Sequence, residues 1–128
     1  MDARNELKGK RGLVRLLNAT RYSLAGYKAA WQDEEAFRQI CLLAVIGLPL
    51  ACWLGRDWGE SVLLAVPLVL CLLVELLNSA IENVVDRISL EWHPLAKKAK
   101  DMGSAAQFTA QIFLAAVWGG YLLGRLWA

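Results

Sequence analysis

The sequence predicts an all-α membrane protein with three transmembrane helices and an N-terminal amphipathic helix on the membrane surface. Of its 128 residues, 57% are hydrophobic and only 20% are charged, which is unusual for a soluble domain. Three stretches approach the roughly 20 apolar residues that a bilayer-spanning helix needs. Lipid offers the backbone no hydrogen-bond partners, so we expect these stretches to be helices rather than isolated strands. The length favours a single domain, residues 1–128.

The N-terminal segment is predicted to lie on the membrane. Residues 1–12 form a charged tail without an apolar core, so we expect no cleavable signal peptide. Residues 13–33 form the surface helix, because apolar side chains occupy one stripe of about 100° while Arg15 and Tyr22 lie on the far side. The stripe consists of Leu13, Leu16, Leu17, Leu24, Tyr27 and Trp31. A simple anchor is the alternative, but it does not require an arginine and a tyrosine on one face.

The three membrane helices follow in order. They are predicted at about residues 35–55, 61–88 and 101–125. The apolar parts of the first and third carry no charged residue, whereas the second carries Glu75. Pro67 is expected to bend the second helix.

Lysine and arginine residues predict the orientation. Eight precede the first span and four lie between the second and third, whereas the loop 55–60 and the C-terminus have one each. The positive-inside rule therefore places the N-terminus and the loop 86–101 in the cytoplasm and the C-terminus outside. The net charge of +2 is too small to indicate a nucleic-acid partner.

Four polar residues on the second membrane helix form the candidate site: Glu75, Asn78, Glu82 and Asp86. They share one face of about 80° and extend about 16 Å toward the cytoplasmic end of the helix. A charged residue inside a span costs roughly 2.5–3.5 kcal/mol on insertion scales and usually serves a function. Polar contacts between helices are the structural alternative, but these carboxylates lack matching buried cations. Oxygen ligands of this kind suit a hard ion such as Mg²⁺.

The loop after this helix adds positive charge on the same side. Lys100 can pair with phosphate, and Asp101 can orient that lysine or hold a metal ion. The single histidine, His93, is more typical of a loop residue than of a ligand. The sequence contains neither a GxxxxGK[ST] nor a GxGxxG motif. The residues alone leave two classes open, a metal-dependent enzyme at the interface or a small proton-coupled transporter that uses Glu75.

Three stretches resemble the prokaryotic diacylglycerol kinase family. They are ELLNSAIENVVDRIS at 75–89, AKDMGSAA at 99–106 and AAWQDEEAFRQ at 29–39. The similarity covers about residues 15–124 in the same order. It implies a homotrimer in the bacterial cytoplasmic membrane, with sites shared between neighbouring subunits. It also implies transfer of phosphate from MgATP to the primary hydroxyl of diacylglycerol, which gives phosphatidic acid.

The resemblance also implies roles for individual residues. Glu75 matches the proposed catalytic base, and Glu34 and Glu82 match the carboxylates that hold Mg²⁺. The positions that match nucleotide contacts are Arg15, Tyr22, Glu34, Glu82, Glu91, Trp92, His93, Lys100 and Asp101. The positions that match the lipid-substrate site are Trp31, Glu75, Asn78 and Ser104.

The sequence departs from the family pattern in three places. Ile40 stands where members often have glutamate, Trp92 replaces a more usual tyrosine, and Asp33 extends the acids Glu34 and Glu35 to a run of three. We expect these changes to tune activity rather than remove it. Related members phosphorylate undecaprenol, which is the alternative substrate, but DMGSAA looks more like the diacylglycerol-specific branch.

Overall fold

The computed structural model describes residues 3–127, and the side-chain surroundings of residues 11–127. It contains four helices in this part of the chain, and no strand. They are α1 (Ala3–Asp33), α2 (Glu35–Leu54), α3 (Trp58–Ile88) and α4 (Pro94–Trp127). The helices α2, α3 and α4 are each long and apolar enough to cross a membrane. The predicted fold class, all-α with three candidate membrane helices, is therefore confirmed.

Three helices begin earlier than the sequence predicted, and α3 does so by three residues, at Trp58 rather than 61. α1 begins at Ala3, so the predicted tail 1–12 is helical over its described part. Its alanine, arginine, glutamate, leucine and lysine residues are favourable helix formers, which outweigh Gly9 and Gly12. α4 begins at Pro94 rather than near residue 101. Proline suits the first position of a helix, because its fixed φ angle is already helical and its missing N–H would have no partner there.

α3 is the central helix of the bundle. It packs against α2 on one side and α4 on the other, whereas α1 makes few contacts with α2 and α3. The α2–α3 contact is close because small residues line it. A Cβ atom at Gly47 would lie 2.7 Å from Cδ1 of Leu68, so only glycine fits without a shift of that side chain.

Aromatic side chains of α4 join the helices in the half of the bundle near the α2–α3 turn. Trp118 donates its Nε1–H to the carbonyl of Leu64 at 2.9 Å, one turn before Pro67. Proline disturbs the helical hydrogen bonds in that turn, and a donor from a neighbouring helix helps to satisfy the backbone there. Nearer the α2–α3 turn, the hydroxyl of Tyr121 lies 2.7 Å from Glu60 Oε1 and 2.8 Å from the carbonyl oxygen of Leu54. These contacts join α4 to both α2 and α3.

Candidate functional site

The polar row of α3 changes from buried to exposed along the helix. Glu75 is 4% exposed, Asn78 and Glu82 are half-buried, and Asp86 is exposed. Glu75 therefore lies inside the bundle, while Asp86 lies at the end of α3 that precedes the α3–α4 loop. One face of a single helix thus connects the membrane interior with that loop.

A carboxylate from the start of α2 joins this row. Glu34 lies between α1 and α2 with an extended backbone (φ −118°, ψ 107°). Among the three consecutive acids, Glu34 is half-buried and both Asp33 and Glu35 are exposed. Of the three acids, Glu34 is therefore the one that turns toward the bundle, near enough to Glu75 and Glu82 for the carboxylates to interact.

α4 reaches the row at Asn78. The Nδ2 atom of Asn78 donates to Glu82 Oε1 at 3.4 Å. Its Oδ1 atom is buried and has no hydrogen-bond partner among the described residues. A Cβ atom at Gly103 would overlap this oxygen, so glycine is what allows α4 to approach so closely. Asn78 thus keeps one acceptor free between the two helices.

Two ion pairs hold the charged residues at the start of α4. Lys100 contacts Asp86 with an Nζ–Oδ1 distance of 2.7 Å, which links α4 to the end of the polar row. Lys97 contacts Asp101 with an Nζ–Oδ2 distance of 2.6 Å. All four side chains are about half exposed or more, so the pairs contribute little stability. Their main effect is to orient Lys100 and Asp101.

The α3–α4 loop and its neighbours form two adjoining cavities. The more polar one has a volume of about 330 Å³. It is lined by Val85, Asp86, Ser89, Leu90, Glu91, Trp92, His93, Ala96, Lys97, Lys100 and Asp101. The other, of about 520 Å³, shares the loop residues from Glu91 to His93 and is otherwise walled mainly by apolar side chains such as Ile88 and Leu95. The first cavity offers charges to a ligand, and the second offers an apolar surface.

His93 has a defined role in the loop. Its Nδ1 atom accepts a hydrogen bond from the backbone N–H of Leu95 at 3.1 Å, which caps the start of α4. In the neutral ring the proton then lies on Nε2, which can donate to a ligand. The sequence alone favoured an ordinary loop residue, but the structure places His93 both at a helix cap and in the wall of the two cavities.

Some of the predicted site residues lie apart from these cavities. Arg15 and Tyr22 are exposed on α1, and neither lines the cavities beside the α3–α4 loop. Trp31 is 52% exposed near the end of α1, and Ser104 is exposed on α4. Arg38 donates to the carbonyl of Trp31 at 2.8 Å, which helps to fix the junction between α1 and α2. The single chain therefore brings together the predicted site residues of α3, of the α3–α4 loop and of the first turns of α4, but not Ser104 or the residues of α1.

Comparison with known proteins decides the family. Residues 21–122 match the model of the family described as prokaryotic diacylglycerol kinase. The chain belongs to this family. It is 56% identical over 117 residues to the diacylglycerol kinase of Pseudomonas aeruginosa, covering 91% of this chain and 95% of that protein. It is 51% identical to the Helicobacter pylori diacylglycerol kinase over 88% of each chain. It is 47% identical to the Escherichia coli K12 enzyme, over 84% of this chain and 88% of that one. The resemblance seen in the sequence is thereby confirmed.

The donor set of this family member fits a magnesium ion that is shared with a nucleotide. Among the side chains described, residues 11–127, no group of three or more His, Cys, Asp or Glu converges as a metal site. In sites of phosphoryl transfer, however, Mg²⁺ uses one or two carboxylates and completes its shell with phosphate and water oxygens. Glu34 and Glu82 can supply the carboxylates, and Asn78, which contacts Glu82 through Nδ2, has an unpaired Oδ1.

The structure gives Asp86 a specific partner at the start of α4. The sequence placed Asp86 on the polar face but gave it no contact, whereas the structure pairs it with Lys100. The sequence indicated that α3 and α4 are antiparallel neighbours, since a short loop joins them. It did not predict this pair, because Asp86 lies three residues before the loop 89–93 and Lys100 lies seven residues after it.

Proposed function

We propose that this chain transfers the γ-phosphoryl group of MgATP to the primary hydroxyl of diacylglycerol, which gives phosphatidic acid and ADP. The observation that best supports this reaction is a continuous polar path. It runs from buried Glu75 to Asp86, and from there through Lys100 into the cavities beside the loop. A lipid hydroxyl can reach Glu75 from the membrane, and a nucleotide can reach Lys100 from water. Family membership and the names of the relatives support diacylglycerol as the lipid.

The two cavities divide the nucleotide between them in this proposal. The apolar wall of the larger cavity suits the base, and Trp92 offers an aromatic face for stacking. The polar cavity suits the phosphates, because Lys100 is a compact positive charge that can exchange Asp86 for a phosphate oxygen. Glu91 and the Nε2–H of His93 supply an acceptor and a donor at the boundary.

The proton and phosphoryl transfers follow from this arrangement. Glu75 takes the proton of the lipid hydroxyl as the oxygen attacks the γ-phosphorus. A new oxygen–phosphorus bond forms, the bond between the γ-phosphorus and the bridging oxygen breaks, and ADP leaves with that oxygen. Lys100 and Asp101 orient the phosphates and balance the charge there. Alignment and charge neutralisation are the main requirements of phosphoryl transfer. When bound by Glu34 and Glu82, Mg²⁺ supplies further charge neutralisation.

The proposed assembly is a homotrimer with shared active sites. Arg15 and Tyr22 are exposed on α1 and do not reach the cavities of their own chain. In an assembly they can complete the nucleotide site from a neighbouring copy. A trimer would also cover part of the apolar surface that α2, α3 and α4 expose.

The proposed location is the bacterial inner membrane, with the N-terminus and the α3–α4 loop in the cytoplasm. Cytoplasmic ATP then reaches the cavities directly. The test uses single cysteines at Asp57 and Lys97 in a background whose three native cysteines are replaced. An impermeant thiol reagent should label Asp57→Cys from outside intact cells and Lys97→Cys only after the cytoplasmic side is opened. The reverse pattern would place the site away from cellular ATP.

A direct assay tests the proposed reaction. Purified protein in mixed micelles with MgATP should convert a short-chain diacylglycerol to phosphatidic acid, and a parallel reaction with undecaprenol measures the alternative substrate. We expect a higher kcat/KM with diacylglycerol. Inactivity on both lipids would exclude the proposal.

The alternative function is a proton-coupled transporter. Proton-driven uptake into proteoliposomes without ATP would support it. A transporter, however, gives the cavities and Lys100 no role.

A further inference from the structure

The junction between α1 and α2 is a break in what would otherwise be one helix. Glu34 is the single non-helical residue between Asp33 and Glu35, and its backbone is extended. The backbone bonds on both sides of the break remain. The N–H of Glu34 donates to the carbonyl of Ala30 at 2.9 Å, and the N–H of Arg38 donates to the carbonyl of Glu34 at 3.2 Å. The break is therefore confined to one residue.

The extended residue leaves carbonyl groups at the end of α1 without helical donors. In a continuous helix, the carbonyls of Trp31 and Gln32 would accept from the backbone N–H groups four positions later. Neither accepts a backbone N–H from α2. The side chain of Arg38 donates instead, because its Nη1 atom lies 2.8 Å from the carbonyl oxygen of Trp31 and 3.2 Å from that of Gln32. Hydrogen bonds from a charged guanidinium group are stronger than those between neutral groups, so these two bonds stabilise the break.

Apolar packing also supports the junction. The ring centroids of Tyr27 and Phe37 lie 6.3 Å apart, and both Phe37 and Ala30 are buried. These contacts hold α1 against α2, but an apolar group cannot satisfy a free carbonyl. Arg38 is thus the residue that satisfies the backbone at the break.

The break also leaves the Glu34 carboxylate available to a ligand. Glu34 occupies the N-cap position of α2, where a side-chain oxygen often accepts a hydrogen bond from the first turn of the helix. The Glu34 side chain makes no such bond. It is half-buried, whereas Asp33 and Glu35 on either side are exposed. The direction of this carboxylate therefore depends on the backbone angles at the break rather than on a cap.

We propose that Arg38 is a positioning residue, which fixes the break between α1 and α2 so that the Glu34 carboxylate can share a metal ion with Glu82. The inference rests on the proposed function, in which these two carboxylates hold Mg²⁺. Mg²⁺ demands nearly ideal octahedral geometry, so a small rotation at Glu34 should lower its affinity. Arg38 acts through the backbone and touches neither metal nor substrate. Lysine should replace it, because both carbonyls accept from the single Nη1 atom.

The first test measures metal binding without lipid. Purified protein is titrated with the Mn²⁺ complex of a non-hydrolysable ATP analogue, and the bound Mn²⁺ is counted by electron paramagnetic resonance. Mn²⁺ prefers the same oxygen ligands as Mg²⁺. Arg38→Met should weaken binding about 10-fold, a common effect of losing a residue that orients a metal ligand. Arg38→Lys should stay within about twofold of the unmodified protein. Arg21 is exposed on α1, so the control Arg21→Met should bind as the unmodified protein does.

A second measurement reads the junction itself. Spin labels at Ala19→Cys on α1 and Leu42→Cys on α2, both exposed positions, give the distance between the two helices in a background whose native cysteines are replaced. Labelled chains are assembled with an excess of unlabelled ones, so that the distance is measured within one chain. Arg38→Met should shift or broaden the distance distribution, and Arg38→Lys should preserve it.

Calorimetric titration with the metal-free analogue separates the metal site from the rest of the nucleotide site. Its affinity should be the same in Arg38→Met, Arg38→Lys and Arg21→Met, because Arg38 acts on a metal ligand only. An equal loss of affinity with and without Mn²⁺ would show a general disturbance of the protein and would overturn the inference.

The remaining outcomes also decide. The inference is wrong if Arg38→Met binds the Mn²⁺ complex as tightly as Arg21→Met, or if Arg38→Lys binds it as weakly as Arg38→Met. It is equally wrong if metal affinity falls while the distance distribution is unchanged. If Arg38→Met does not assemble, Arg38→Gln takes its place with the same expectations, since its shorter side chain leaves at least one carbonyl without a donor. A protein that phosphorylates neither lipid loses the proposed reaction, whereas the role of Arg38 is decided by metal affinity and distance alone.

Discussion

Replacing Glu75 by glutamine should lower turnover by about 10²- to 10⁴-fold, the usual contribution of a general base, while MgATP binding stays nearly unchanged. Glutamine keeps the size of the side chain and can still form hydrogen bonds, but it cannot accept the proton. Glu75 is buried inside the bundle and does not line the two cavities beside the loop. Its loss should therefore affect kcat and spare the affinity for the nucleotide.

The measurement pairs turnover with calorimetric titration of MgATP. Glu60→Gln is the matched control, because it makes the same change at the opposite end of α3 and its amide oxygen can still accept from Tyr121. Glu60→Gln should retain full turnover. If Glu75→Gln turned over normally, Asp101 would become the next candidate for the base. If activity was lost because the assembly fell apart, the polar row would be a contact between helices rather than a catalytic site.

The fold was largely predictable because membrane helices have strong sequence signals. Long uncharged stretches and the distribution of lysine and arginine predicted three spans, and the structure has three candidate helices in this order. Helix ends were less predictable. The segment from Pro94 to Lys100 is polar, so hydropathy placed the start of the third span after it, whereas proline chemistry at the first helical position starts α4 there.

The site was predictable along each helix but not between helices. Helical periodicity placed Glu75, Asn78, Glu82 and Asp86 on one face, and the structure shows a burial gradient along that face. The partners of this row depend on tertiary packing. The Lys100–Asp86 pair joins residues that are 14 positions apart. No periodicity within one helix predicts such a contact, because it depends on the geometry of the turn between two helices.

Gln107 illustrates the same limit for a buried residue. In the sequence it is one of two glutamines in the third apolar stretch, four positions apart. Hydropathy treats them alike, yet Gln107 is buried against α3 and Gln111 is exposed. The distinction comes from the register set by Gly103, whose missing side chain lets the helices approach at Asn78.

Replacing Glu82 by glutamine should weaken binding of MgATP as well as turnover, and this sets it apart from Glu75→Gln. Glu82 accepts a hydrogen bond from Asn78 and lies one turn before Asp86, so it stands between buried Glu75 and the polar cavity beside the loop. As a proposed metal ligand, its carboxylate contributes to Mg²⁺ affinity, and its loss should raise the Mg²⁺ requirement by at least about 10-fold. Higher Mg²⁺ should then partly restore turnover.

The Mg²⁺ dependence of kcat/KM is the measurement that separates a metal ligand from a base. Raising Mg²⁺ should recover part of the activity of Glu82→Gln and none of that of Glu75→Gln. Glu35→Gln is the control for charge alone, because Glu35 is an exposed acid beside Glu34, and this variant should keep the normal Mg²⁺ requirement. An unchanged Mg²⁺ requirement in Glu82→Gln would remove Glu82 from the metal site. The remaining acids on the path to the cavities, Asp86 and Asp101, would then be the ligands to test, since both line the polar cavity beside Lys100.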